Sequence, residues 1–140
     1  MLDALFQDPA PKGLTRNQIL VLDIITSAGK PVGAYQILRE LRPRGFRSPV
    51  QVYRAVEGLI RCGLVHKVET INAFVRCAHA HAHATETTIL AICDACGSVV
   101  EHHDRTVDRR LAAWARQAAF RIDTATIELR GRCAGCGELP

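Results

Sequence analysis

Residues 48–77 read SPVQVYRAVE GLIRCGLVHK VETINAFVRC, and this stretch decides the fold. Ser48 and Gln51 match a capping box, in which each side chain satisfies a backbone N–H of the first helical turn. Pro49 occupies the first helical position, where its missing N–H costs nothing. Gly63 is a residue that commonly ends helices. The stretch therefore predicts a helix that begins at Ser48 and stops near Gly63, with a buried stripe formed by Val52, Val56, Leu59 and Ile60.

Two short strands are expected after this helix, at 64–69 and 73–77, and together they predict a hairpin. Upstream, Thr15 and Gln18 form another capping box at the start of a first helix. A second helix is predicted over 34–41. Three helices followed by a hairpin are typical of a winged helix-turn-helix domain, whose third helix enters the major groove of DNA. A compact bundle with a hairpin and no role in DNA binding is the alternative.

The charge of the chain is divided unevenly. Residues 1–76 carry 11 basic and 6 acidic side chains, whereas residues 77–140 carry 7 basic and 8 acidic side chains. Five of the six cysteines and five of the six histidines lie in the second part. The basic part could meet an anion such as nucleic acid, and the part rich in cysteine and histidine could hold metal. A solvated basic surface is the simpler reading of the charge alone.

Two Cys-x-x-Cys pairs lie in the second part, Cys93 with Cys96 and Cys133 with Cys136, and each is followed by a glycine. They match a tetrahedral four-cysteine structural zinc site, because a two-residue gap lets both sulfurs of a pair meet one ion. The segment between the pairs is predicted to hold a helix over 104–119, with Trp114 among its inward residues, and a strand over 121–129. One ion would therefore tie the C-terminal strand to the central one. Two redox disulfides would need a thioredoxin-like context, which is absent.

A weaker set of possible ligands lies near the boundary between the two parts. His66 falls in the first wing strand, Cys77 ends the second, and Glu101 follows the first cysteine pair. The intervening loop adds three histidines: His79, His81 and His83. Mixed nitrogen, sulfur and oxygen ligands suit zinc. Each residue also has an ordinary reading, such as a surface wing histidine or a solvated His-Ala loop.

The composition narrows the class of protein. The chain has 140 residues, of which 48% are hydrophobic, so it can build one ordinary domain or two small ones. No apolar run approaches a membrane span, and no secretory signal is evident. We therefore expect a cytoplasmic protein, in which cysteines serve as metal ligands more often than as disulfides. No nucleophile–base pair or open three-ligand zinc site indicates an enzyme.

These features resemble the Fur superfamily of bacterial metalloregulators over nearly the whole chain, from Leu14 to Cys136. Besides the double Cys-x-x-Cys pattern, the resemblance rests on three stretches: Leu14-Thr15-Arg16-Asn17-Gln18, Val52-Tyr53-Arg54 and Gly63-Leu64-Val65-His66-Lys67. Within the superfamily, residues 66–69 and 72–77 are most similar to the branch that regulates zinc uptake.

The resemblance implies a regulatory zinc held by His66, Cys77 and Glu101, separate from the four-cysteine structural zinc. The branch often has a histidine shortly before the strand that leads to the first cysteine pair, and this chain has none at that place. The fourth ligand is therefore expected from the same segment, with His83 preferred and two alternates: Glu86 and His81.

The resemblance also implies a homodimer that binds palindromic operator DNA when zinc fills the regulatory site, and so represses zinc-uptake genes. Tyr53 and Arg54 are expected to contact the operator, and three further residues to contact phosphates or act through the wing: Tyr35, Arg47 and Lys67. The alternatives are an iron, manganese or peroxide sensor of the same superfamily, or a zinc-storage or interaction module that does not bind DNA.

The expected fold class is α+β. A winged-helix DNA-binding domain is predicted over residues 1–77, and an α/β dimerisation and metal-binding domain over residues 78–140.

Overall fold

The computed structural model describes residues 13–78 and 86–137. These residues form two compact units, divided between Arg76 and Cys77. The first unit contains three helices and a hairpin, and the second contains a three-stranded sheet and one helix. The α+β fold class is confirmed.

Local chemistry sets the starts of the helices in the first unit. The helices are α1 (Arg16–Ala28), α2 (Ala34–Leu41) and α3 (Pro49–Arg61). The Thr15 hydroxyl accepts from the Gln18 backbone N–H (3.2 Å), and the Gln18 side chain accepts from the Thr15 N–H (2.9 Å). The Gln51 side chain accepts from the backbone N–H of Ser48 in the same way (3.2 Å). Both predicted capping boxes are confirmed.

The core of the first unit lies between the apolar faces of its helices. On α3, Val52, Val56 and Leu59 are at most 1% exposed. Ile60, which the helical pattern also placed in this stripe, is 39% exposed, so that expectation was wrong. An apolar residue at the margin of a helical stripe can lie on either side of the core boundary, and the pattern alone does not distinguish the two.

The predicted hairpin consists of β1 (Val65–Val68) and β2 (Ala73–Arg76), which pair antiparallel. Asn72 closes the turn with a φ of 48°, a left-handed conformation that asparagine tolerates better than most residues. Phe74 of β2 also exchanges backbone hydrogen bonds with Val32, at 2.8 and 3.1 Å. These two bonds fix the hairpin to the segment between α1 and α2.

The second unit is built around a central strand. Its elements are β3 (Thr88–Cys93), β4 (Val99–His102), α4 (Arg105–Gln117) and β5 (Thr126–Gly131). The strand order is β4-β3-β5, with β4 antiparallel and β5 parallel to β3. Parallel strands need a long connection, and the chain between β3 and β5 includes both β4 and α4. The last strand begins at Thr126, later than the expected start at 121, because its register pairs Thr126 with Thr88.

One face of this sheet is apolar and exposed. Residues that pair directly across strands point to the same face. The register aligns Val100, Ala91 and Leu129 in one row, and Ile89 with Ile127 in the next, where the exposed His102 lies at the β4 end. Val100 is 60% and Leu129 is 52% exposed. We call the five apolar residues of these two rows the open sheet face. The alternate residues of β3, Leu90 and Ile92, are buried.

Helix α4 also keeps much of its apolar surface uncovered. Trp114 was expected to point inward but is 53% exposed, and Ala115 is buried. The Trp114 ring contacts Phe120, which is 57% exposed, at a centroid distance of 5.6 Å. The sequence pattern correctly identified an apolar helix face, but this face is not covered within the described part of the unit.

Candidate metal centres and nucleic-acid surface

The first cysteine pair lies where β3 ends and the chain turns back into β4. The Gly97 N–H donates to the Cys93 carbonyl (2.9 Å), and the Cys93 N–H donates to the Ser98 carbonyl (2.9 Å). Gly97 has a φ of 75°, which glycine adopts without strain. This tight turn holds the Cys93 and Cys96 sulfurs on one side.

The second cysteine pair follows β5. The N–H groups of Cys136 and Gly137 both donate to the Cys133 carbonyl, at 3.0 and 3.1 Å. Cys93 pairs with Gly131 in the parallel ladder between β3 and β5. Because parallel strands end at the same edge of a sheet, the two cysteine pairs emerge side by side.

The four sulfurs form a cluster of the size that a zinc ion requires. All four Sγ atoms lie within 4.8 Å of one another, and Cys96 and Cys133 are 3.8 Å apart. A tetrahedron with Zn–S bonds of about 2.3 Å has sulfurs about 3.8 Å apart. All four cysteines are free, and a disulfide would require a sulfur separation of about 2.05 Å. The predicted four-cysteine cluster is therefore present and fits zinc.

Three of these thiols differ from one another in pKa. Backbone N–H groups of Cys133 (3.4 Å) and Cys96 (3.5 Å) lower the pKa of Cys93 to about 6. A hydrogen bond with the Ser98 hydroxyl (3.1 Å) lowers the pKa of Cys96. Hydrogen bonds with the Cys133 and Cys96 thiols raise the pKa of Cys136 to about 12. Four adjacent thiolates repel one another, so full ionisation of the cluster needs a cation.

A second group of ligand atoms lies at the start of the second unit. Cys77 is 5% exposed, and its Sγ lies 3.6 Å from the Glu101 Oε1 atom. The Glu101 side chain is also 5% exposed, and its Oε2 atom accepts from the Ala78 N–H (2.9 Å). A buried thiol beside a buried carboxylate offers one sulfur and one oxygen ligand, a set that suits zinc.

His103, which from the sequence could either add a ligand or face water, contacts this pair. Its Nε2 atom lies 2.9 Å from the Glu101 Oε1 atom, and its Nδ1 atom lies 3.1 Å from the Thr87 carbonyl oxygen. The signal was present in the sequence, because residues two apart near a strand lie on the same face. His102, on the opposite face, is exposed.

Of the other predicted regulatory ligands, the structure describes His66 and Glu86. His66 lies in β1 of the first unit, half-buried and opposite Val75. Glu86 is half-buried, just before β3. His81 and His83 lie outside the described residues.

The residues predicted to contact DNA differ in exposure. Arg54 and Arg47 are exposed, and Tyr35 on α2 is 71% exposed. Lys67 in β1 is half-buried, and its ammonium lies 3.2 Å from the exposed Glu69 carboxylate, with which it forms an ion pair. The half-buried ring of Tyr53 meets Phe74 of β2 edge-on, with centroids 6.4 Å apart.

Tyr53 therefore links α3 to the hairpin as well as facing outward in part.

No helix among residues 13–78 and 86–137 has the length and apolar character that a membrane span needs.

Comparisons with known proteins agree with this arrangement. A model described as the ferric uptake regulator family matches residues 14–130. The zinc uptake regulation protein of Escherichia coli K12 is 35% identical over 129 residues, which cover 90% of this chain and 74% of that protein.

Two solved structures have similar folds. A structure titled as holo XcZur is 41% identical, covers 87% of this chain and 84% of its own, and superposes with a TM-score of 0.77. A zinc uptake regulator complexed with zinc and DNA is 33% identical, covers 87% and 81%, and superposes with a TM-score of 0.80.

Proposed function

The chain belongs to the ferric uptake regulator family, and from this we propose that it is a zinc-responsive transcriptional repressor and not an enzyme. It would bind palindromic operator DNA as a homodimer in the cytoplasm when zinc occupies a regulatory site, and so control zinc-uptake genes. Relatives named as zinc uptake regulators support this proposal. The observation that carries it is the buried Cys77–Glu101 pair, a set of ligand atoms separate from the four-cysteine cluster.

In this proposal, the two metal sites have different tasks. Cys93, Cys96, Cys133 and Cys136 would hold a structural zinc that joins the ends of β3 and β5. Structural zinc contributes on the order of 10 kcal/mol to the folding of small domains. That is comparable to the whole stability of a typical domain, so this site would stay filled and would not act as a sensor.

The regulatory site would draw its ligands from several elements of the chain. Cys77 and Glu101 would supply a thiolate and a carboxylate, His66 a nitrogen, and His83 the fourth ligand, with Glu86 or His81 as alternates. When bound, zinc supplies a link between ligands that lie on different elements. It can shift the protein towards the DNA-binding state only as far as it binds that state more tightly.

The DNA-binding domain predicted over residues 1–77 would correspond to the first unit, which ends one residue earlier, at Arg76. Exposed Arg54 on α3 suits a base contact in the major groove, and Tyr53 beside it would contribute from its outward edge. Three further residues would contact phosphates and so position the domain without reading sequence: Tyr35, Arg47 and Lys67.

The second unit would be the dimerisation domain (residues 78–140). Support comes from the open sheet face and the exposed Trp114–Phe120 pair, because soluble monomers rarely leave adjoining apolar side chains uncovered. A second copy of the chain would bury this surface. A dimer also presents two α3 helices, which matches a palindromic operator.

Two single cysteine-to-serine variants test the regulatory site. DNA duplexes are first selected from a random pool by the zinc-loaded protein, and binding to them is then titrated at buffered free zinc concentrations. Cys77→Ser should shift the zinc response to concentrations at least tenfold higher while the four-cysteine zinc is retained. Cys62→Ser is the matched control, because Cys62 is an exposed free cysteine at the end of α3. Identical zinc responses of the two variants would contradict the proposal.

A further inference from the structure

The structure assigns His103 a part in zinc sensing: we propose that it is a positioning residue that holds the Glu101 carboxylate ready for the regulatory zinc without binding the metal itself. The inference rests on the proposed regulatory site and adds a residue to it. Three contacts of Glu101 with residues of the second unit carry it, namely those with Cys77, Ala78 and His103.

Both oxygens of the Glu101 carboxylate are fixed. The Ala78 N–H holds Oε2 at 2.9 Å, and His103 Nε2 holds Oε1 at 2.9 Å. A carboxylate oxygen has two lone pairs, so Oε1 can accept from His103 and still direct the other lone pair towards a metal. The Cys77 sulfur lies 3.6 Å from this same oxygen. His103 therefore fixes the oxygen that lies beside the sulfur ligand.

The hydrogen positions on His103 follow from its partners. The Thr87 carbonyl can only accept, so His103 Nδ1 carries a hydrogen and donates to it. Two lone pairs 2.9 Å apart would repel, so the Nε2–Oε1 contact also contains a hydrogen. Both ring nitrogens of His103 are therefore engaged, Nδ1 by the Thr87 carbonyl and Nε2 by Glu101. This geometry makes His103 a partner of the Glu101 carboxylate and leaves the metal to the Cys77 sulfur and the Glu101 oxygen.

A chain of hydrogen bonds in turn holds His103. Thr87, which is 2% exposed, accepts from His103 through its carbonyl and donates its N–H to the Asp108 carboxylate (2.8 Å). Hydrogen bonds from the Thr87 side chain and from its backbone N–H lower the pKa of Asp108, which lies in the first turn of α4. The chain runs from α4 through Thr87 and His103 to Glu101, and each link lies partly or fully out of water.

Such outer partners matter for metal affinity because a ligand that is already oriented loses less freedom when the metal binds. Removing the hydrogen-bond partner of a metal ligand typically weakens metal binding about 10–100-fold. We expect His103→Ala to weaken zinc binding at the regulatory site by this factor. His103→Gln keeps an N–H that can reach Oε1 and should recover part of the loss. His102→Ala is the control for loss of a neighbouring imidazole, and its dimerisation is measured in parallel because His102 lies beside Ile89 on the open sheet face.

The decisive test is a double-mutant cycle on the full-length protein with the four-cysteine zinc in place. Zinc affinity at the second site is measured by competition with a chromophoric chelator. If His103 acts through Glu101, His103→Ala should cost 10–100-fold in the parent protein but less than about threefold in a Glu101→Ala background. An equal loss in both backgrounds, or no loss in the parent, would overturn the inference.

Cobalt(II) in the regulatory site separates positioning from ligation. In His103→Ala, the thiolate–cobalt absorption of Cys77 and the d–d bands should keep their shape, with only the cobalt concentration needed for saturation increased. A changed d–d envelope would make His103 a ligand and overturn the inference. A parent protein that binds no zinc beyond the four-cysteine site would overturn the proposed function as well. If the parent binds zinc at the second site and His103→Ala binds it with the same affinity, this inference alone is overturned.

Discussion

Replacing Leu129 by glutamate places a charge on the open sheet face, where the proposed dimer would bury it. Leu129 is 52% exposed in the single chain, so about half of its side chain remains to be covered. Full burial of a leucine contributes about 1.5–3 kcal/mol, so the remaining half contributes about 1 kcal/mol per chain. Burying a carboxylate without a partner costs at least about 1 kcal/mol more.

A homodimer contains the change twice, so the dimer should lose about 4 kcal/mol. That corresponds to a dissociation constant roughly a thousandfold higher. Sedimentation equilibrium over a range of protein concentrations measures the constant directly. Val50→Glu is the matched control, because Val50 is 53% exposed but lies at the start of α3 in the first unit. A dimer that is equally stable in both variants would refute the assignment of the open sheet face.

Three further changes test other parts of the account. Cys133→Ser should remove one zinc ion per chain in elemental analysis and the cooperative melting of the second unit, and full zinc content would contradict the four-cysteine site. Arg54→Ala should weaken binding to the selected duplex at least tenfold, with zinc content and dimerisation unchanged; equal affinity in a gel-shift titration would rule out a base contact. Backbone N–H groups of Thr106 and Val107 lower the pKa of Asp104 from its usual 3.8, so its ionised cap stabilises α4 fully above that pH and less as the pH falls through the lowered value. Asp104→Asn keeps a cap that does not titrate, so its melting temperature should fall less steeply with acid than that of the parent, and parallel curves would contradict this.

Helix starts and the four-cysteine cluster could be predicted because short-range chemistry determines both. Capping boxes satisfy backbone groups within three residues, and a Cys-x-x-Cys turn brings two sulfurs together by itself. That the two pairs meet also depends on the parallel ladder between β3 and β5, whereas the sequence predicted only that one ion would tie the C-terminal strand to the central one.

Features that depend on contacts between distant parts of the chain were harder to predict from the sequence. The contact between His103 and Glu101 depends on where β4 ends, and strand ends are set by pairing with β3 more than by local sequence. The apolar pattern of α4 marked Trp114 as an inward residue, but a pattern shows that a face is apolar without showing what covers it.

The most direct test of the central claim is DNA binding measured against buffered free zinc, iron and manganese. Fluorescence anisotropy of a labelled selected duplex reports binding by the full-length protein, with the four-cysteine zinc in place throughout. The account predicts tight, salt-dependent binding that rises with free zinc and needs far higher concentrations of the other two metals. A response to iron or manganese alone would identify a different sensor. No salt-dependent binding with any metal would contradict the account and favour a zinc-storage or interaction module.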